Sequence, residues 1–261
     1  MKWSKKYIYP PVKTNNSSGV RTYSVNGVNL PSVTTILKMT ESEEKKESLL
    51  KWREKVGDTV ADKIMRESSQ RGSRMHKHLE EYLVGQAKLD IIDEESFLMS
   101  KKIIDNSLDS KLSELWGAEV NIYYPDLFAG TIDACGIYDG KESVIDFKQS
   151  NKPKKREWIE DYFFQVAAYS LAHNEVYNSN ITQGVILVCT PPTGNASDSL
   201  ETKLQNIVFQ EFKIDNNELF DPYLKKDYAN NEQFDYDDLS PYNPHISRMK
   251  KKGKKGKKGK K

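Results

Sequence analysis

The sequence predicts an α/β protein in which a mixed central β-sheet is flanked by helices and preceded by a helical region. Three observations indicate this class. An Asp139-Gly140 turn joins two apolar strand patterns, at 128–138 and 143–149. A helical pattern then covers 157–177, and an apolar strand pattern at 184–190 ends at two prolines. Strands on either side of a connecting helix are expected to be parallel, whereas the hairpin is antiparallel, so the sheet is mixed.

The other elements follow from turn signals and helical spacing. A hairpin over 21–30 turns at Asn26-Gly27, and Ser32 caps a short helix that ends at Met39. Helical patterns follow at 42–66, 72–83 and 94–115. A strand is predicted before the central hairpin, at 118–124, and a last alternating strand at 206–214.

A chain of 261 residues is long enough for one substantial core, so we expect one main domain with appendages. The expected segments are an N-terminal extension with a β-hairpin (1–40), a main domain (41–215) with a helical part (41–116) and a sheet-and-helix part (117–215), an acidic, aromatic extension (216–249) and a disordered lysine-rich tail (250–261). The tail carries nine lysines and no acid, which leaves 31 basic against 38 acidic residues elsewhere. It suits a nonspecific tether for phosphates, and equally a solubility or cloning appendage.

The central hairpin carries the strongest chemical signal. A two-residue loop pairs Tyr138 with Lys141 and places Asp133 opposite Asp146. A loop longer by two residues would place Asp133 opposite Lys148 instead, and in both registers these two acids and the lysine share one face. Two carboxylates about 5 Å apart repel each other unless a cation lies between them, which suits Mg²⁺ with a lysine beside an attacking water. The alternative is a hairpin with ordinary surface charges, but acids within apolar strands favour a metal site.

Two helices offer further candidates. Gln165 and Tyr169 lie four residues apart on one face of the helix that follows the hairpin. In isolation they would be an edge residue and a core residue, but their place after the hairpin favours the site. His76 lies beside an apolar stripe of the 72–83 helix, while His78 projects from another side. Such a histidine is usually structural, so spacing alone does not make it a ligand.

The segments Gly130-Thr-Ile-Asp133, Asp146-Phe-Lys148 and Gln165-x-x-x-Tyr169 resemble motifs of the PD-(D/E)XK nuclease superfamily, in its RecB-type branch. Gly72-x-x-x-His76 resembles the upstream helix of that branch. Two shorter segments, 30–37 and 52–57, resemble the N-terminal region of the mitochondrial genome maintenance exonucleases and their phage relatives. The resemblance runs from about residue 30 to about residue 190.

This resemblance implies a PD-(D/E)XK core and a metal-dependent DNA exonuclease. Mg²⁺ or Mn²⁺ would be held by His76 rather than His78, by both aspartates and by the main-chain carbonyl of Phe147. Lys148 would position the hydrolytic water, and Gln165 and Tyr169 would orient Lys148 or the phosphate. Glu119, in the preceding strand, is either a further ligand, a partner of one, or a polar residue at the strand end.

The substrate expected from the resemblance is DNA with single-stranded ends. Four basic residues follow the hairpin and could grip phosphates: Lys152, Lys154, Lys155 and Arg156. Nearby, Trp158 and Tyr162 could belong to the core or stack on bases. A structure-specific endonuclease on the same core and a non-catalytic DNA-binding or repair scaffold remain as alternatives.

Two cysteines are too few for the four-cysteine iron–sulfur cluster of some relatives. The low cysteine content and the lack of a secretory signal indicate a reducing compartment, and the lack of a long apolar run predicts no membrane span. The opening residues are too short for a mitochondrial presequence, so the expected location is the cytoplasm of a bacterium or a phage-infected cell. A mitochondrial location would require that a presequence had been removed.

Overall fold

The computed structural model describes residues 1–17, 20–86 and 93–215. The predicted extension 216–249 and the lysine-rich tail 250–261 lie outside the described residues. The strands are β1 (Lys2–Trp3), β2 (Lys13–Ser17), β3 (Val20–Val25), β4 (Val28–Pro31), β5 (Leu112–Tyr124), β6 (Phe128–Tyr138), β7 (Lys141–Gln149), β8 (Gln183–Cys189) and β9 (Phe209–Asp215). The helices are α1 (Val33–Met39), α2 (Glu43–Val56), α3 (Asp58–Leu83), α4 (Glu94–Ile103), α5 (Asp109–Lys111), α6 (Glu160–Tyr177) and α7 (Leu200–Gln205).

The central sheet confirms the predicted mixed α/β class. Its strand order is β1-β5-β6-β7-β8-β9. Strand β1 is parallel to β5, and β7 is parallel to β8, while the other neighbours are antiparallel. Since α6 connects β7 to β8, the strands that flank the long helix are parallel, as the sequence predicts. Among the described residues, no helix has the length and apolar character needed to cross a membrane.

Helices cover both faces of this sheet. Helix α6 packs on one face, where Phe163 and Val166 join an apolar cluster with Val144 of β7. Helices α3 and α4 pack on the other face, where Met75 and Leu79 join a second cluster with Phe147 of β7. Strand β7 therefore lies in the middle of the molecule, with its alternate side chains turned toward different helices.

The N-terminal residues are tied to the central sheet at two places. The hairpin β3–β4, predicted around Asn26-Gly27, forms a small sheet with β2 and packs through Tyr23 onto Ala129 of β6. Before it, residues 2–9 run along β5. The rings of Tyr7 and Tyr9 contact the end of α6, and the Tyr9 hydroxyl lies 2.8 Å from Nε2 of His173.

The helical region differs from the prediction in its boundaries. The patterns 42–66 and 72–83 predicted two helices with a gap between them, but the break falls at Gly57 and α3 runs unbroken from Asp58 to Leu83. Gly57 has φ 82°, a conformation that costs glycine little and other residues more. The α3 stripe of buried residues continues through the predicted gap because one of its members is Arg71, which apolar spacing does not detect.

The helix predicted over 94–115 was also too long. Helix α4 passes through a π-helical turn (Ile104–Leu108) and α5, and strand β5 begins at Leu112. The predicted boundary at 116/117 therefore falls inside a strand. Register shifts between Leu112 and Glu114 and between Leu115 and Gly117 disturb the alternation along β5, so its first residues do not show a strand pattern.

Candidate active site

The hairpin of β6 and β7 has the shorter of the two predicted loops. Asp139 and Gly140 both have positive φ, 50° and 76°, as a two-residue type I′ turn requires. Tyr138 pairs with Lys141, and the ladder continues to the pair Ala134 and Ile145. The next step would bring Asp133 opposite Asp146, the pair that the sequence predicts, but the ladder does not include this pair.

The β6–β7 pairing ends at that step, and the Asp133 carboxylate takes the place of the backbone partner. Its Oδ2 accepts a hydrogen bond of 2.7 Å from the Phe147 amide. In an extended strand the N–H and C=O of one residue point to the same side, so the Phe147 carbonyl also faces this gap between the strands. We call this gap, bounded by Asp133, Asp146 and Phe147, the strand fork.

Helix α3 brings His76 to the strand fork. Its Nδ1 lies 3.3 Å from Asp133 Oδ1 and 3.8 Å from Glu119 Oε1. One donor atom from each of these three residues lies within 4.8 Å of the others, a spacing at which they could hold one metal ion. By contrast, His78 packs against the ring of Phe97, 6.1 Å between ring centres. His76 therefore lies within this group of donors, and His78 packs against an aromatic ring elsewhere.

Glu119 occupies an unusual backbone conformation. It lies within β5, between the pairs Ala118–Ala134 and Val120–Ile132, and so directly across from Asp133. Its φ is 49°, in the left-handed region that glutamate rarely adopts. Glu119 lies inside β5 and not at its end, and its carboxylate is beside His76 and Asp133. This position fits a ligand or a partner of a ligand, the first two of the three roles that the sequence left open. No sequence pattern indicated the strained backbone.

Asp146 and Lys148 form the second half of the site, on the face that α6 covers. Lys148 Nζ lies 2.5 Å from Asp146 Oδ2, and the Gln165 side-chain amide donates to Asp146 Oδ1 at 3.0 Å. The same Gln165 nitrogen lies 3.1 Å from the Tyr169 hydroxyl. Asp146 is buried, and its Oδ2 has this ion pair but no hydrogen bond of good geometry. That oxygen thus has a cation, the Lys148 ammonium, as its partner.

Gly130 explains how Tyr169 comes so close to the sheet. A Cβ atom on Gly130 would overlap the Tyr169 ring. The glycine at the start of the Gly-Thr-Ile-Asp segment therefore makes room for the tyrosine of α6. The absence of a side chain at this position lets a residue of the helix line the site.

Charge interactions shift the pKa values on the His76 side of the fork. Burial lowers the pKa of His76, but the Asp133 and Glu119 carboxylates outweigh burial and raise it to about 10. At Asp133, burial favours the neutral acid, yet the neighbouring His76 and Lys148 hold its pKa below the ordinary value. His76 and Asp133 therefore form an ion pair in which each charge stabilises the other.

On the other side, burial has the larger effect. It raises the pKa of Asp146 to about 6, although Lys148 acts in the opposite direction. Burial would lower the pKa of Lys148, but Asp146 and Asp133 outweigh it and raise that pKa. Lys148 is thus a charged ammonium group that pairs with Asp146 in a largely enclosed site, with the negative charge of Asp133 as a further stabilising influence.

Tyr162 is a site residue whose role the sequence left open between core packing and base stacking. Its ring centre lies 5.2 Å from Lys148 Nζ, within the range of a cation–π interaction. Tyr162, Gln165 and Tyr169 are spaced by three and four residues, so one face of α6 lines the site. That spacing was the sequence signal for Tyr162.

The four predicted phosphate contacts lie in the loop between β7 and α6. The side chains of Lys152 and Lys155 are exposed there, and Lys155 extends over the Trp158 ring. Arg156 turns to β9, where its Nη1 donates to the Lys213 carbonyl at 3.0 Å. Lys154 is half-buried and its amide bonds to Gln210 of the same strand. The exposed lysines are therefore the freer pair.

The donor set fits a hard divalent cation. Carboxylate and carbonyl oxygens with one imidazole are ligands suited to Mg²⁺ or Mn²⁺. The carboxylates of Glu119, Asp133 and the buried Asp146 concentrate negative charge that requires positive charge beside it. His76 and Lys148 provide that positive charge in the present structure.

Comparisons with known proteins identify similar exonucleases. The chain is 29% identical over 181 residues to mitochondrial genome maintenance exonuclease 1 of Xenopus tropicalis, across 64% of this chain and 50% of that protein. It is 29% identical over 172 residues to the protein of the same name from Homo sapiens, across 61% of this chain and 48% of that protein. The chain spans about half the length of the curated relatives it matches. No family model matches the chain.

Proposed function

We propose that this protein is a metal-dependent DNA exonuclease of the RecB-type PD-(D/E)XK branch, acting on single-stranded ends. The observation that carries the proposal is the pairing of Lys148 with the buried Asp146, directly beside Asp133 and His76. The similarity to proteins named exonucleases also supports a nuclease.

Mg²⁺ or Mn²⁺ would be held by His76, Asp133, Asp146 and the carbonyl of Phe147, with Glu119 as a further carboxylate. When bound, such a cation lowers the pKa of a coordinated water and neutralises charge on a phosphate. His76 must lose its proton before it can act as a ligand. Affinity for the cation is therefore expected to increase with pH, because the cation and the proton compete for the same imidazole nitrogen.

Lys148 would orient the attacking water and stabilise the negative charge that develops on the scissile phosphate. Its ammonium group already lies between Asp146 and the Tyr162 ring, so little rearrangement is needed before reaction. Gln165 would hold Asp146 in place, and Tyr169 would hold Gln165, through the hydrogen bonds described above. The exposed Lys152 and Lys155 would contact the backbone of the DNA strand.

The proposal is tested with purified protein and end-labelled linear and circular single-stranded DNA, in Mg²⁺, Mn²⁺ or EDTA. Lys148→Ala is expected to lower cleavage at least a thousandfold, since groups that stabilise transition-state charge contribute about 10²–10³ each and this one also positions the water. DNA binding should remain within about twofold. The control is Lys77→Ala, whose lysine lies next to His76 in sequence but is 67% exposed.

Degradation of the linear strand alone, dependent on metal and lost in Lys148→Ala, is the expected result. Cleavage of the circle would instead identify an endonuclease, because a circle has no ends. Binding without cleavage under any of these conditions would leave a DNA-binding scaffold. The label at the 5′ or 3′ end gives the direction of degradation.

A further inference from the structure

Helix α3 contacts the strand that carries Lys148 at a second place, one turn before His76. From Arg71 onward, the buried stripe of α3 consists of residues four apart: Arg71, Met75, Leu79 and Leu83. Its first member is a charged residue that is only 9% exposed. A buried guanidinium is costly unless its donors are satisfied, so its partners constrain its position closely.

The partners of Arg71 come from three parts of the chain. Its Nε donates to Gln149 Oε1 at 3.1 Å, and Gln149 directly follows Lys148 in β7. Its Nη2 donates to Asn151 Oδ1, at the start of the loop that holds the exposed lysines. Its Nη1 lies 3.4 Å from Glu95 of α4. One side chain thus connects α3, α4 and the end of β7, the strand that carries Lys148.

The adjacent Gly72 shows that the contact is close as well as polar. A Cβ atom on Gly72 would lie 3.2 Å from Cγ of Gln149, tighter than an ordinary van der Waals contact. Arg71 and Gly72 therefore both contact the residue after Lys148. Helix α3 approaches β7 more closely here than a larger side chain would readily allow.

We infer that Arg71 is a positioning residue for the active site, which sets the placement of α3 against the end of β7. The inference rests on the proposed function. Through Gln149, Arg71 fixes the distance between the backbone that carries Lys148 and the helix that carries His76. Arg71 touches neither DNA nor the reacting atoms; it acts by keeping His76 at Asp133 while Lys148 remains at Asp146. The planar guanidinium suits this role because its donors have fixed directions.

A purely structural role in packing α3 against α4 is the competing explanation, and Arg74 provides the control. Arg74 lies on the same helix, and its Nε is 2.9 Å from Oδ2 of Asp93, the residue that caps α4. This ion pair also joins α3 to α4 but involves no residue of β7. Arg71→Gln and Arg74→Gln each remove one positive charge from an ion pair between α3 and α4. The Arg71 side chain is 11% exposed and that of Arg74 is 40% exposed, and only the first change removes a contact with β7.

The experiment measures Mn²⁺ binding by calorimetry without DNA, and then kcat and KM at saturating Mn²⁺. Arg71→Gln is expected to weaken Mn²⁺ binding by about tenfold and to lower kcat by about 10–100-fold, the range found when groups that orient metal ligands are removed. KM for DNA should change less than about twofold. Arg74→Gln should resemble the wild type in all three quantities, even where its melting temperature falls.

A second variant keeps the test valid if Arg71→Gln does not fold. Gln149→Met removes the partner on β7 but leaves the ion pair of Arg71 with Glu95 intact. It is expected to reproduce the loss of Mn²⁺ affinity, and the double variant should be no worse than Arg71→Gln, because both changes remove one interaction. The inference is overturned if Gln149→Met binds Mn²⁺ as the wild type does, or if Arg71→Gln and Arg74→Gln behave alike. A wild-type protein that neither binds Mn²⁺ nor cleaves DNA would refute the proposed function instead.

Discussion

At the scale of single residues, Glu119 has a positive φ that a residue with a side chain rarely adopts. A non-glycine residue at φ 49° inside a strand costs about 1–3 kcal/mol and persists only where neighbouring structure enforces it. Here the conformation places a third donor beside His76 and Asp133. The conformation costs stability at this residue and brings its carboxylate close to the other two donor groups.

Two substitutions of Glu119 separate the backbone from the carboxylate. Glu119→Gly and Glu119→Ala both remove the side-chain oxygen atoms, so both should weaken Mn²⁺ binding. Glycine accepts positive φ, whereas alanine does not, so the glycine variant should be more stable than the alanine variant by about 1 kcal/mol. Urea unfolding of the two proteins measures this difference. Equal stabilities would show that Glu119 carries no backbone strain.

Some residues of the candidate site could be predicted from sequence patterns, and others could not. Asp133, Asp146 and Lys148 follow from the turn at Asp139-Gly140, because a two-residue loop fixes the register of every residue behind it. Arg71 was missed because a buried cation breaks the apolar pattern on which helix prediction depends. The position of the Glu119 side chain depends on its own positive φ, and the hydrophobic pattern of a sequence does not predict single dihedral angles.

At the scale of secondary structure, the β6–β7 turn fixes the register on which the site depends. An added Cβ on Gly140 meets no atom within 4 Å, so a substitution there tests the backbone conformation alone. Gly140→Ala is expected to destabilise the protein by about 1 kcal/mol, and Gly140→Asn by less, because asparagine tolerates positive φ. Chemical denaturation compares the variants. If alanine and asparagine are equivalent, the strain at φ 76° is not what limits this position.

The beginning of β5 shows why one element was assigned wrongly. Leu112, Leu115 and Trp116 are all buried, a spacing that fits one face of a helix. Pairing with β6, which starts at Leu112 and Tyr138, overrides this local preference. A shift of register between Leu112 and Glu114 lets Leu112 and Leu115, three residues apart, join the same cluster, while Trp116 joins the cluster on the opposite face. Long-range pairing decided the structure of this segment, and single-sequence patterns do not contain that information.

At the scale of the whole molecule, the parallel strands and the two helical layers were predictable, because a hairpin followed by a long helix and a buried strand allows few arrangements. The attachment of residues 2–9 to the sheet was not, since its contacts involve aromatic residues far apart in the chain. Tyr7 and Tyr9 pack around His173, whose Nδ1 lies 2.7 Å from the Ser179 hydroxyl.

This cluster predicts that stability decreases in mild acid. Burial lowers the pKa of His173 to about 4, with smaller opposed effects from Glu142 and Lys6. The unfolded histidine takes up a proton near pH 6.5 and the folded one does so only near pH 4, so folding becomes less favourable as pH falls between these values. The loss from this group is up to about 3 kcal/mol, and it is absent above pH 6.5.

Unfolding free energies of the wild type and His173→Gln, measured from pH 7 to pH 4, test this prediction. Both proteins contain the same carboxylates, so the difference between their slopes isolates the histidine. The variant should show the shallower decrease. Parallel curves for the two proteins would mean that His173 is protonated as easily in the folded state as in the unfolded state.

The attachment of residues 2–9 also determines the order in which the protein can fold during synthesis. Tyr9 leaves the ribosome 164 residues before its partner His173. The domain therefore cannot complete its structure until α6 has emerged, and contacts over such separations slow folding. Residues 2–9 therefore reach their final contacts only after a segment far along the chain is available to receive them.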